Sequence, residues 1–165
     1  MAAVEPNWLN AREDRSWRAF VYAHQRIEAH LNRRLLESGL SGADYEVLAV
    51  LSALDGDRMP AHELCHALGW EKSRLSHQVR RMQKDGLITR EPNPKDARST
   101  MVCLLPAGLA AIEKAAPTHV QDVRRNFIEL FSPAELDTLA TLNERVLRHL
   151  ATNDDSPADI LRSST

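Results

Sequence analysis

Apolar residues recur at helical spacing along most of this chain, and the rhythm changes once, between residues 87 and 105. Trp17, Phe20, Val21, Ile27, Leu31 and Leu35 trace one stripe of a long helix predicted from Ser16 to about Glu37. Ser41, with Asp44 three residues on, reads as a capped start for a helix through Tyr45, Val47, Leu48, Leu51 and Leu54. "DGDRMP" ends it, and Pro60 suits the first position of a short helix that closes near Gly69. A fourth helix is predicted from about Glu71 to Asp85, with Gly86 as a left-handed cap. Alternation with period two then takes over in "LITRE" and "STMVCLL", an antiparallel strand pair flanking a proline-containing loop. Helical spacing returns near Pro106. Pro117 is expected to kink this helix rather than end it, because apolar residues resume at Val120, Val123, Phe127 and Ile128. Ser132-Pro133-Ala134-Glu135 is a capping box opening a last helix through Leu136, Leu139, Val146, Leu147 and Leu150. The tail beyond it, residues 153–165, reads as frayed.

Two of these helices sit in a suggestive relation. "PAHELCHAL" carries Ala61, Leu64, Cys65 and Leu68 on one side and meets "EKSRLSHQVRRMQKDG" across a tight turn. In the second helix Leu75, Val79 and Met82 fall within about 60° of one another, a buried seam. Ser73, His77, Arg80 and Lys84 lie nearly opposite, with Arg74, Ser76 and Arg81 on the flanks. The outward face is thus polar and cationic, which suits a helix-turn-helix whose second member enters a DNA groove. A strand pair and a cationic loop directly after it complete a winged helix.

Charge sharpens this picture. The 165-residue chain has a formal net charge of −2, which alone argues against nucleic acid. Between Glu71 and Arg98, however, eight basic residues face four acids, so that segment is +4 and the remainder of the chain −6. The positive charge is local. Hydrophobic content of 43% and charged content of 27% are ordinary for a soluble domain. No apolar run approaches the roughly 18 residues of a membrane span. The N-terminus lacks a basic segment followed by an apolar one, so a cytoplasmic protein is expected. Two cysteines, Cys65 and Cys103, suggest no disulfide framework.

These residues together resemble the MarR family of bacterial transcription regulators, from about Trp17 to Leu150. The sharpest elements are "LGWEKSRLSHQVRRMQKDGLITR", "FSPAELDTLATLNERVLRHL" and the wing signature, Asp96-Ala97-Arg98 followed by the strand to Leu105 and then Gly108. Two positions depart from the pattern. Leu105 stands where the family has threonine, and His77 stands where many relatives carry arginine or another base-reading residue.

The resemblance implies a mostly α fold, a winged helix-turn-helix with a two-stranded β wing and terminal helices forming a dimerisation module. Its parts would be residues 1–40 and 106–152 for dimerisation and 41–105 for DNA. It also implies a homodimeric regulator, a repressor, acting on an inverted-repeat operator in double-stranded DNA. DNA contacts are expected from Ser73, Arg74, Ser76, His77, Arg80, Arg81 and Lys84, and from Lys95, Asp96 and Arg98 in the wing. Arg98 would reach the minor groove, and Asp96 would orient Arg98 or Arg81. Relatives bind aromatic or phenolic acids, which makes Trp17, Phe20, His24, Tyr45 and Arg33 or Arg34 the candidate pocket.

Other chemistries compete less well. "HELCH" matches the zinc-protease spacing at His62 and His66, but that chemistry needs a third ligand and a cleft. Both histidines are expected on the exposed face of their helix. No cofactor site and no catalytic constellation are visible, so the chain is not read as an enzyme. A thiol sensor would fall to Cys103, expected to face away from the core side of its strand. The remaining alternatives are a winged-helix module that binds protein without DNA affinity and a zinc-dependent hydrolase.

Overall fold

The computed structural model describes residues 6–94, 96 and 99–153. Six α-helices and three strands follow one another as α1 (Ala11–Glu37), α2 (Gly42–Ser52), β1 (Arg58–Pro60), α3 (Ala61–Leu68), α4 (Lys72–Lys84), β2 (Ile88–Pro92), β3 (Thr100–Leu104), α5 (Pro106–Asn126) and α6 (Pro133–Asn153). A short 3-10 turn, Ile128–Leu130, links the last two helices. No helix among the described residues is long and apolar enough to cross a membrane.

Three of the helix starts are set by side-chain caps. Ser41 Oγ accepts from Asp44 N–H at 3.1 Å, while Asp44 Oδ2 accepts from Ser41 N–H at 2.8 Å. Ser132 and Glu135 repeat the arrangement at α6, with Glu135 Oε2 accepting from Ser132 N–H at 2.8 Å. The third, Asn10 with Glu13, starts α1 five residues before Ser16, where the apolar stripe had placed it. A cap can precede the first buried turn, and here it does. Leu105 supplies no side-chain cap to α5, and Pro106 takes the first helical position, where its missing N–H costs nothing. The helix runs on through Pro117.

The sheet has three strands rather than two. β3 lies in the middle, antiparallel to both neighbours, with Met59↔Val102 on one side and Arg90↔Val102 on the other. β1 is three residues long and ends on Pro60, which belongs to this edge strand and not to α3. Gly56 (φ +93°) and Asp57 (φ +53°) turn the chain sharply into it. Such a short edge strand is below the length at which alternation can be read, and proline is tolerated there because an edge leaves N–H groups unpaired.

The core centres on α2, where Val47, Leu48 and Leu51 are fully buried. Leu64 of α3, the seam Leu75, Val79 and Met82 of α4, Ile88 and Val102 of the sheet, and Ile112 and Ala115 of α5 close around them. Burying each large side chain contributes on the order of 1.5–3 kcal/mol. Gly108 lets the first turn of α5 rest on β2, since a Cβ there would collide with the Leu87 carbonyl oxygen.

α5 also anchors α1. Arg34 Nε donates to Asp122 Oδ2 at 3.2 Å, and Asp122 is 7% exposed. Beside it, the Tyr45 and His119 rings lie 4.2 Å apart, and His119 Nδ1 is buried without a hydrogen-bond partner among the described residues. Burial lowers the His119 pKa below its usual 6.5, with the Asp122 charge opposing in part. Above that pH both folded and unfolded chains hold the imidazole neutral. As the pH falls below 6.5 the unfolded chain takes up the proton first, so folded stability is lost. Denaturant titrations of wild type and His119→Phe between pH 7.5 and about 5 should therefore diverge, the variant lacking this share of the acid loss. Parallel curves would show that the imidazole is protonated equally in both states.

Candidate nucleic-acid interface

α3 and α4 meet at Gly69, which is left-handed at φ +62°. Gly69 N–H donates to His66 O at 3.1 Å and Trp70 N–H to Cys65 O at 2.9 Å, so the turn is closed by the end of α3 itself. The buried seam of α4 then fixes which side chains face outward. Ser73, His77, Arg80 and Lys84 are all exposed, and no acid lies among them.

The two flanks of α4 are engaged within the chain, a feature that charge counting misses. On the side facing α2, Arg81 Nη2 donates to Asp44 Oδ1 at 2.7 Å, to Ser41 Oγ at 2.9 Å and to Gln78 Oε1 at 3.1 Å. Gln78 Nε2 donates to the same Asp44 oxygen at 2.6 Å. Arg81 is thus drawn sideways onto α2, and its orienting carboxylate is Asp44, not Asp96. Arg74, on the same flank, lies with its guanidinium 4.0 Å over the Trp70 ring. On the other flank Arg90 Nε of β2 donates to Gln83 Oε1 at 2.8 Å, tying the helix to the sheet.

Lys95 and Arg98 lie outside the described residues. The described residues on either side of them are joined: Asn93 N–H donates to Ser99 O at 3.2 Å, Ser99 N–H to Asp96 O at 3.0 Å, and Asn93 Nδ2 to Ser99 Oγ at 2.7 Å. Asn93 thus ties the end of β2 to the residue before β3.

The four ring-bearing residues of the candidate pocket are divided. Trp17, Phe20 and His24 form a ladder along the outer face of α1, with ring centres 6.1 Å and 6.4 Å apart, and the first two are more than half exposed. Tyr45 instead packs toward α5 against His119. A cavity of about 380 Å3 that sequence reasoning missed lies between α3, α4 and the sheet. Leu75, Val79, Val102 and Cys65 line it, and Lys72 and Arg90 stand at its edge. Only contacts across three elements create it, and no sequence spacing announces them.

His62 is exposed, as expected, but His66 is half-buried. Among the described residues no cluster of three or more His, Cys, Asp or Glu side chains could hold a metal ion. Cys103 sits on the middle strand between Arg58 and Thr89 and is 8% exposed. Burial, and Glu91 beside it, push its thiol pKa up, which disfavours the reactive thiolate.

Residues 38–99 match a family model described as MarR family. Over 89% of its length the chain is 37% identical to AbsC, a MarR family transcriptional regulator from Streptomyces coelicolor, covering 99% of that protein with a TM-score of 0.85. The chain belongs to the MarR family. A second MarR family regulator from S. coelicolor, Sco3205, crystallised in complex with DNA, is 31% identical, with 94% of this chain and 98% of that one covered and a TM-score of 0.86. The transcriptional repressor IacR of Pseudomonas putida is 28% identical over 141 residues, 86% of this chain and 83% of that protein.

The two kinds of arginine on α4 of this MarR-family chain should separate in stability measurements. Asp44→Ala removes half of the α2 capping box and strands Arg81 and Gln78, and should cost about 2–4 kcal/mol. Arg81→Ala should cost about 1–2 kcal/mol, because Asp44 keeps its other donors. Arg80→Ala should stay within about 0.5 kcal/mol of wild type. Equal unfolding midpoints for Arg81→Ala and Arg80→Ala would refute this division of roles.

Proposed function

We propose that this regulator acts as a homodimeric repressor, with α4 in the major groove of an inverted-repeat operator and the wing along the backbone. The observation that carries the reading is the outward face of α4, where Ser73, His77, Arg80 and Lys84 are exposed together with no carboxylate among them. Ser73 and His77, near the start of the helix, are assigned to base edges, and Arg80 and Lys84 to phosphates. Ser76 borders the sheet side of the helix. Lys95 and Arg98 are assigned to the wing contact, with Arg98 toward the minor groove, where a narrow A·T-rich groove concentrates negative potential. The DNA held by Sco3205 and the repressor function named for IacR support this reading. A protein that acts on the chromosome works in the cytoplasm.

The dimer rests on where apolar surface is left uncovered. Among the described residues every exposed large hydrophobic lies at or before Leu36 or at or beyond Val120. None belongs to the winged helix between them. Trp17 and Phe20 of α1, and Leu142, Val146, Leu147 and Leu150 of α6, are each about half exposed, a stripe that two copies would bury against each other. Residues 1–40 and 106–152 are accordingly assigned to dimerisation and 41–105 to DNA. Release by a small aromatic or phenolic acid extends the reading, with the Trp17, Phe20 and His24 ladder as the wall a partner would close.

A salt titration with mixed-sequence duplex DNA tests both halves. Wild type should bind with strong salt dependence, and Arg80→Ala should weaken binding to all sequences while lowering the salt slope by about one. Leu147→Glu should sediment as a monomer and bind at least tenfold more weakly, since half the contacts are then lost. Salt-independent or absent binding by wild type would instead favour a winged-helix module that recognises protein.

A further inference from the structure

Arg74 stands at the third position of α4, about 100° around the helix from Leu75 in the buried seam. That places it on the flank of the helix, away from the centre of the outward face. Its guanidinium carbon lies over the Trp70 ring, 4.0 Å from the ring centre, a cation–π contact. The platform beneath it is rigid. Trp70 follows the left-handed Gly69, its N–H is bonded to Cys65 O at 2.9 Å, and it is 8% exposed as a member of the core.

Stacking uses the face of a guanidinium and leaves its edge free. The five N–H donors lie in the plane of the group, and a cation–π contact does not consume them. Among the described residues no hydrogen bond or ion pair engages those of Arg74, whereas Arg81 on the same flank gives one nitrogen to three oxygens. The Glu46 carboxyl of α2 is near enough to feel the Arg74 charge and to interact with Trp70, yet forms no ion pair with the arginine within 4.0 Å. An exposed arginine ordinarily samples many rotamers, and ordering it on docking opposes binding. Here that ordering is already done.

We propose that Trp70 is a positioning residue for DNA binding: it holds Arg74 as a pre-ordered planar fork for a backbone phosphate at the edge of the groove. A phosphate fits better than a base for two reasons. The flank of a groove-bound helix meets the backbone rather than the groove floor, and the guanidinium fork matches two phosphate oxygens at once. This refines the expectation that Arg74 contacts DNA. The inference rests on the DNA-binding reading above.

Phosphate contacts ignore sequence, so the test needs no operator. The full chain and its variants are titrated with a mixed-sequence duplex, by fluorescence anisotropy, over a series of salt concentrations. Arg74→Ala should weaken binding and lower the salt slope by about one. Trp70→Leu keeps the charge and loses the platform, so affinity should fall roughly three- to tenfold at an unchanged slope. Trp70→Phe should stay within about twofold of wild type, because the ring face is retained. In an Arg74→Ala background, Trp70→Leu should cause no further loss. Arg74→Lys, an exposed change that leaves the core intact, should reproduce the Trp70→Leu result, since an ammonium keeps the charge without the planar stack. Equal losses from Trp70→Leu with and without Arg74 would show that the indole is only structural. Wild-type affinity for Arg74→Lys would equally overturn the proposal. Absence of salt-dependent binding by wild type would remove the DNA reading itself, an outcome separate from either.

Discussion

A carboxylate that is 6% exposed has to find donors on every side or lose its charge, and Asp44 finds them in two helices. One oxygen caps α2 through Ser41 N–H and Oγ; the other receives Arg81 and Gln78 of α4. The same side chain that starts the central helix of the core therefore sets the rotation of the helix that faces outward. Apolar packing of Leu75, Val79 and Met82 brings α4 against α2, but hydrophobic contact is non-directional and tolerates sliding. Charge-assisted hydrogen bonds do not. With Asp44 on one flank and the Arg90 to Gln83 bond on the other, Ser73, His77, Arg80 and Lys84 are left on a single exposed strip.

This arrangement changes how the local charge is counted. The segment from Glu71 to Arg98 carries +4, but Arg81 is neutralised by Asp44 and Arg90 is turned toward the helix. The cations left to act outward are fewer and better placed. Arg80 and Lys84 lie about a turn apart on α4, and Arg74 stands beside its start on a fixed ring. An overall charge of −2 is compatible with that design, because a few oriented cations at one surface matter more for docking than the sum over the chain.

What could be read from the sequence was whatever depends on neighbours along the chain. The Ser41–Asp44 and Ser132–Glu135 boxes, left-handed Gly69 and Gly86, and the Leu75, Val79 and Met82 seam are local patterns, and each stands where its spacing placed it. The unread parts join residues far apart. Asp44 to Arg81 spans 37 positions, and nothing in either helix marks the other as its partner. Nothing in the sequence singles out Trp70 until Arg74 is found above it, and β1 gains its identity only by pairing with β3, more than forty residues later. Trp17, Phe20, His24 and Tyr45 were grouped as one candidate pocket, and within one chain Tyr45 lies apart from the other three. Tyr45 is held by His119 of α5, a contact that helical periodicity cannot reveal.

The terminal helices show the converse limit. Their apolar stripes were legible. Among the described residues α1 is anchored toward its C-terminal end, where Leu35 is buried and Arg34 bonds Asp122, while Trp17 and Phe20 in its first half are exposed. An isolated helix of such length has little reason to persist in water, because most helical stability comes from packing an amphipathic face. The Asn10–Glu13 cap fixes where α1 begins but contributes only about 1 kcal/mol. In the proposed dimer a second copy would supply the remaining support. α5 would then join two surfaces: its first turn rests on the sheet through Gly108, and its far half holds α1. A change of angle between the copies would pass along that one helix to α2, and through Asp44 to α4.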